Sequence, residues 1–114
     1  MKIDQYGFGK IVIEGKTYTS DVIIYPENVD PSWWRKEGHR LQPEDLEQAV
    51  REKPNILIVG TGNVGAMQVP KETLSFFRSQ GIDVRVARTG KAVEIFNGLQ
   101  KENKKVVAAL HLTC

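Results

Sequence analysis

The sequence is poor in the residues that build covalent or metal-based sites. Its one cysteine is Cys114 and its two histidines are His39 and His111, so no internal disulfide can form and few metal ligands exist. The longest apolar run, residues 106–110, is far shorter than the roughly 20 residues of a membrane-spanning helix. We therefore expect a protein with no disulfide, no metal site and no inserted membrane segment.

The charge is nearly balanced. Sixteen basic residues stand against 14 acidic ones, for a net charge of +2, which gives no electrostatic reason to expect a nucleic acid or an anionic membrane as partner. Residues 1–9 contain Asp4 and no apolar stretch, so neither a secretory signal nor a transit peptide is predicted. The expected location is the cytoplasm.

The length and the patterning predict a single α/β domain over residues 1–114. In the first part, residues 10–14, 17–19 and 21–25 are typical of antiparallel strands, with a type II′ turn expected at Gly15-Lys16. Residues 26–41 show no sustained period and are expected to form an ordered surface segment.

Strands and helices alternate in the second part. Pro43 and Pro70 are placed to begin helices, and a third helix carries the stripe Ala92, Ile95, Phe96 and Leu99. Apolar residues 56–59, 82–86 and 106–112 predict three parallel strands joined by these helices. The predicted fold is an N-terminal β-hairpin with antiparallel strands, followed by two βαβ units, in a mixed central sheet flanked by helices.

A glycine-rich loop follows the first parallel strand. Residues 60–65, Gly-Thr-Gly-Asn-Val-Gly, match the dinucleotide-binding pattern G-x-G-x-x-G, and Arg88 ends the next strand, where an arginine can accommodate the 2′-phosphate of NADP. That pattern works when its glycines open the helix, whereas Pro70 places the helix start five residues beyond Gly65. The chain is also too short for two nucleotide-binding halves. We expect loop architecture and assign no cofactor.

The ends of the parallel strands predict a more general candidate ligand pocket. Ligands of open α/β sheets bind at the carboxyl ends of the strands, where loops converge. Such a pocket would suit a small anionic metabolite. Its candidate residues are Gly60, Thr61, Gly62, Asn63, Arg88, Thr89, His111 and Cys114.

His111 and Cys114 could form a metal-binding pair or a thiol–imidazole catalytic pair, but an ordinary strand end is the favoured interpretation. Two ligands are fewer than a zinc site requires, and alternation places the two side chains on opposite faces if the strand continues. A thiol–imidazole catalytic pair would need the chain to fold back. No catalytic residue is assigned.

Aromatic and basic residues in the irregular segment form a candidate partner surface: Trp33, Trp34, Arg35 and His39. Tryptophan and arginine are enriched among interface hot spots. Aromatic residues in such a segment also commonly cover the edge of a core, with an arginine stacked on a ring. Both interpretations stay open.

Several motifs together resemble a known family. They include residues 6–11 (Tyr-Gly-Phe-Gly-Lys-Ile), 33–35 followed by Gly38-His39, 57–62 (Leu-Ile-Val-Gly-Thr-Gly), 81–86 (Gly-Ile-Asp-Val-Arg-Val), Thr89 with Ala92, Phe96-Asn97, and 111–114 (His-Leu-Thr-Cys). The chain resembles the family of the adipogenesis-associated domain protein and the mitochondrial complex I assembly factor three. The resemblance implies a compact α/β domain and, through the assembly-factor members, a protein-binding role, and it implies no catalytic residues or cofactor.

We therefore expect a non-enzymatic protein-binding accessory or assembly factor. The alternative is a small-molecule or anion-binding protein, or a small enzyme, that uses the pocket at the strand ends. The sequence leaves a homo-oligomer open and does not identify a partner or a ligand.

Overall fold

The computed structural model describes residues 1–114. Eight strands, three α-helices and one 3-10 turn follow each other along the chain: β1 (Ile3–Gly7), β2 (Lys10–Ile13), β3 (Lys16–Tyr18), β4 (Val22–Ile24), β5 (Val29–Asp30), the 3-10 turn (Pro43–Leu46), α1 (Glu47–Arg51), β6 (Ile56–Gly60), α2 (Lys71–Ser79), β7 (Asp83–Ala87), α3 (Thr89–Leu99) and β8 (Val106–Leu110). The predicted α/β class is confirmed.

The central sheet is mixed and has the strand order β5-β4-β8-β6-β7. Strands β6, β7 and β8 are parallel, while β4 pairs antiparallel with β8 and with β5. Every residue of β6 and of β8 is buried, because layers cover both faces of the sheet there. This explains why both strands are apolar without alternation.

Two apolar clusters lie on opposite faces of this sheet. On one face, α3 and the first strands pack through Phe96, Ile11 and Ile13 against the sheet residue Ile58. On the other face, α1, α2 and the segment before them bury Phe77, Trp33 and Leu46 against Leu57 and Val59 of β6. The sheet is therefore the middle of three layers.

The antiparallel strands divide between two sheets, which the sequence did not indicate. Strands β1, β2 and β3 form a separate three-stranded sheet, and β1 was missed because its start reads as polar. The turn between β2 and β3 is formed by Glu14-Gly15, one residue earlier than predicted. Both have positive φ, 48° and 78°, so the turn is of type I′ rather than II′.

The helices begin close to where the prolines predict. Pro70 precedes α2, and Gly81, with φ of 78°, follows its end. Pro43 opens a 3-10 turn that only then becomes the short helix α1. None of the helices combines the length and the apolar composition that crossing a lipid bilayer requires.

Candidate functional site

The three parallel strands end together at one edge of the sheet, here called the C-terminal edge. The backbone N–H of Thr61 donates to Ala87 O at 2.9 Å, and that of His111 donates to Gly60 O at 3.0 Å. The buried Thr89 hydroxyl links the same loops, since it donates to His111 O and accepts from the Gly62 N–H. The loops after β6, β7 and β8 therefore form one connected structure.

The glycine loop holds the last residues of the described chain. Asn63 N donates to Thr113 O at 2.6 Å, and the N–H groups of Val64 and Ala66 both donate to Cys114 O at 3.1 Å. Gly62 permits this approach: its φ is 110°, and a Cβ there would stand 2.3 Å from the carbonyl carbon of Cys114. The glycine at position 62 is thus explained by a contact within the chain itself.

A charged cluster of Asp21, Arg35 and His111 lies behind this edge, with Arg35 and His111 buried and the Asp21 side chain 17% exposed. Asp21 Oδ2 is 2.9 Å from Arg35 Nη1 and 2.8 Å from His111 Nδ1. Asp21 Oδ1 accepts the backbone N–H of Leu112 at 2.7 Å. Arg35 also donates through Nε and Nη2 to Gly38 O, so one carboxylate and one carbonyl fix its guanidinium.

The surroundings of Asp21 favour its ionised form. Burial alone would raise the pKa of this carboxyl, but the hydrogen bonds from His111 and from the Leu112 N–H, together with the positive charge that His111 carries when its ring is protonated and the bond from Arg35, hold its pKa below the ordinary value of 3.8. Nδ1 of His111 also lies 3.2 Å from Arg35 Nη2, which is itself a donor. The shorter bond to the carboxylate indicates that Nδ1 carries the proton, so that Nε2 carries the lone pair in the neutral ring.

The structure divides the candidate partner residues between the core and the surface. Trp33 is buried, donates from its indole nitrogen to Asp45 O at 2.9 Å, and is stacked under the Arg35 guanidinium at 4.5 Å. Trp34, between them, is 75% exposed. His39 is exposed and meets the ring of His111 edge to face at 5.4 Å.

Three exposed apolar residues either contact the segment 111–114 through their backbone or directly precede a residue that contacts it. Phe8 precedes Gly9, whose N–H donates to Leu112 O; Val64 donates its own N–H to Cys114 O; and Trp34 precedes Arg35, which contacts His111. Phe8 and Val64 are 64% and 63% exposed. We call these three residues, Phe8, Trp34 and Val64, the C-terminal rim.

All eight candidate pocket residues lie at the C-terminal edge. Arg88 is exposed and extends past Gly65, while His111 is buried. The condition for an alternation of His111 and Cys114 is not met, because β8 ends at Leu110 and the chain then folds back across Gly62. None of the four surface cavities includes the glycine loop or His111.

Sequence reasoning missed Asp21. Its only signal was an acidic residue immediately before the apolar strand β4. The contact with His111 depends on the antiparallel register of β4 and β8, which pairs Val22 with Leu110, and a single sequence does not specify that register.

The largest cavity lies at the opposite edge of the sheet. This groove of about 620 Å³ is lined by Tyr25, Pro26, Glu27, Asn28, Gln48, Glu52, Asn103, Lys104 and Lys105. Burial, with the charges of Asp30 and Glu52, raises the pKa of the Tyr25 hydroxyl, which therefore stays protonated. The groove is lined by both acidic and basic side chains, so it does not favour a ligand of one charge over the other.

The motifs and the fold agree with one protein family. Residues 3–111 match the sequence model of a family described as a protein of unknown function (DUF498/DUF598). The chain belongs to this family. Since that description names no activity, the function is inferred from the site.

Solved structures of similar proteins cover nearly the whole chain. A conserved hypothetical protein from Pyrococcus horikoshii is 29% identical, with a TM-score of 0.84 and 100% of both chains covered. A protein from Bordetella parapertussis is 25% identical, with a TM-score of 0.83 over 97% of this chain and 94% of that one. A Mth938-like domain from Bordetella pertussis shares the fold at 22% identity, with a TM-score of 0.79 over 97% and 85% of the two chains.

Proposed function

We propose that this protein is a protein-binding accessory or assembly factor that docks its partner on the C-terminal rim. The observation that carries the proposal is the exposure of Trp34, 75%, between two neighbours that are buried. An exposed tryptophan is the side chain most enriched among interface hot spots.

The segment that carries Trp34 is rigidly held. On one side Trp33 is anchored by its indole hydrogen bond and by its backbone N–H, which donates to Asp21 O at 2.8 Å. On the other side Arg35 is fixed by Asp21 and by the carbonyl of Gly38. A side chain presented on a fixed backbone loses little conformational entropy when it binds, so Trp34 is suited to enter a preformed apolar pocket.

Phe8 and Val64 add two more exposed apolar side chains, on segments that are hydrogen-bonded to residues 112 and 114. Isolated exposed apolar residues are ordinary, whereas three around one short segment indicate an interaction site. The partner we propose is therefore a protein with an apolar docking surface. The resemblance to complex I assembly factor three supports the same class of function, assistance to the assembly of a protein complex, and we propose the cytoplasm as its place of action.

The test replaces Trp34 with a photo-crosslinking phenylalanine analogue in cells, with the same replacement of Phe76 as control. Phe76 is also partly exposed, at 39%, but lies on α2, away from the rim. We expect position 34 to give one dominant protein adduct that position 76 does not give. The adduct partner is then identified by mass spectrometry and purified.

With both purified proteins, Trp34→Ala should weaken binding by about 30-fold or more, as expected of a hot spot worth at least 2 kcal/mol, whereas Phe76→Ala should leave the affinity unchanged within about twofold. The proposal is wrong if the adducts at the two positions are the same, if position 34 crosslinks only to a second copy of this chain, or if Trp34→Ala binds like the wild type.

A further inference from the structure

The backbone amides of the glycine loop converge on a single oxygen. Val64 N and Ala66 N both donate to Cys114 O, each at 3.1 Å, and the neighbouring Asn63 N donates to Thr113 O. Positive φ angles at Gly62 and Gly65, 110° and 75°, turn these amides toward the same side. Successive N–H groups arranged in this way form concave sites that bind anionic oxygens.

A buried histidine nitrogen without a partner belongs to the ring whose edge faces Gly62 of this loop. His111 is only 5% exposed, and its Nε2 is inaccessible to solvent. This nitrogen nevertheless makes no hydrogen bond. Cδ2, the ring carbon bonded to Nε2, lies 2.9 Å from the place of a Cβ on Gly62, and the carbonyl carbon of Cys114 lies 2.3 Å from the same place. The ring edge of His111 and the backbone of Cys114 therefore share the space above Gly62.

The loop amides and His111 Nε2 need opposite hydrogen-bonding partners. The amides of Val64 and Ala66 require an acceptor oxygen. Nε2 requires a donor, since Asp21 holds the proton of the neutral ring on Nδ1 at 2.8 Å. Cys114 O satisfies the amides but offers nothing to Nε2. A ligand that matched the whole site would carry an anionic oxygen and a protonated oxygen on one small group.

We propose that the glycine loop and His111 form a binding site for a phosphate group that retains one proton, as in inorganic phosphate, and that residues 113–114 occupy this site in the free protein. The side chain of Arg88 adds positive charge at its entrance, with Nε 3.6 Å from the place of a Cβ on Gly65. The site does not depend on the partner proposed above, because it uses none of the rim side chains.

Residues 113–114 can leave without disturbing the core. Cys114 is exposed and Thr113 is half-buried, and only their backbone oxygens hold them to the loop. Leu112, which precedes them, stays anchored by its buried side chain and by its N–H bond to Asp21. Bound phosphate would take over the two amide bonds of Cys114 O and supply a donor to Nε2.

The test is an NMR titration of the full chain at about pH 8 with inorganic phosphate and, separately, with sulfate at matched ionic strength. The two anions have the same charge at that pH, but only phosphate carries a proton. We expect saturable shifts of the Val64 and Ala66 amides and of the His111 Nε2 resonance with phosphate, and an affinity for sulfate at least about tenfold lower.

A variant that loosens the segment gives an independent measure. Thr113→Gly makes the segment more flexible, and it should tighten phosphate binding a few-fold, because the segment competes with the ligand. Gly98→Ala, on the far part of α3 with no neighbour near its added Cβ, should bind phosphate like the wild type. Equal affinities for phosphate and sulfate, shifts confined to Arg88, or unchanged affinity in Thr113→Gly would overturn the proposal.

Discussion

The two edges of the parallel strands differ sharply. At the C-terminal edge the chain folds over itself: the glycine loop binds residues 113–114, and the cluster of Asp21, Arg35 and His111 is buried beneath it. At the opposite edge the groove beside Tyr25 is open, and its ion pair between Lys105 and Glu52 is separated by 3.5 Å with both side chains more than a third exposed.

The two edges of the sheet therefore suit different kinds of binding partner. Open α/β sheets place small-molecule sites at the carboxyl ends of their strands, and here the protein's own backbone closes that edge, with exposed apolar residues on the adjoining segments. An edge that is closed and apolar at its rim suits contact with a protein. The polar groove has the space for a ligand but lacks convergent groups that would select one.

The largest expected effect is at the buried cluster. Asp21→Asn removes the negative charge and leaves the Arg35 guanidinium buried without its carboxylate, so we expect a loss of about 3–5 kcal/mol in the free energy of unfolding. The matched change at the open edge is Glu52→Gln, which should cost less than about 1 kcal/mol because its ion pair is exposed. Urea denaturation measures both, and equal losses would contradict the contrast between the edges.

A second comparison uses two glycines. Gly62→Ala forces a Cβ into the carbonyl of Cys114 at a positive φ, and we expect a loss of about 1–3 kcal/mol from overpacking. Gly98→Ala, inside α3 with open space around it, should instead stabilise the protein by about 0.5–1 kcal/mol. Thermal unfolding that showed no destabilisation of Gly62→Ala would contradict the close packing of residues 113–114 on the loop.

The pH dependence sharpens the comparison further. Because the pKa of Asp21 is held below 3.8 in the folded protein, its ionised form contributes stability above that pH, and the contribution is lost as the pH falls through 3.8 and below. Asp21→Asn should therefore flatten the acid side of the stability profile, whereas Gly98→Ala, which removes no titratable group, should keep the wild-type slope. Unfolding curves collected from about pH 6 to pH 2 measure this, and parallel profiles for Asp21→Asn and the wild type would be inconsistent with the cluster.

The smallest expected effect concerns Trp34. Its side chain is largely exposed, so Trp34→Ala should change the free energy of unfolding by no more than about 0.5 kcal/mol. Trp33→Ala leaves a cavity and removes the indole hydrogen bond to Asp45 O, so it should cost about 3–5 kcal/mol. A large destabilisation by Trp34→Ala would mean that this ring supports the fold and is not available to a partner.

The sequence predicts the parts of the fold that local patterns control. The unbroken apolar runs of β6 and β8 indicate buried parallel strands, and Pro70 marks where α2 begins. The strand β1 and the separate small sheet were missed, since the pairing of polar strands depends on tertiary context.

The candidate site was predictable only where strand ends define it. The loops at Gly60, Arg88 and His111 could be placed at one edge, because parallel strands end together. Three features came from long-range geometry: the role of Asp21, the burial of Trp33 with exposure of Trp34, and the return of Cys114 over Gly62. Each depends on a register or a chain reversal that the order of residues does not encode locally.

Amide hydrogen exchange tests most directly whether residues 113–114 close the C-terminal edge. Val64 is exposed and Ala66 is half-buried, yet the N–H groups of both residues donate to Cys114 O. The structure predicts that both amides exchange much more slowly than unprotected backbone, and that Thr113→Gly accelerates them while leaving β6 unchanged. Exchange of both amides at the rate of an open loop in the wild-type protein would show that the edge is not closed.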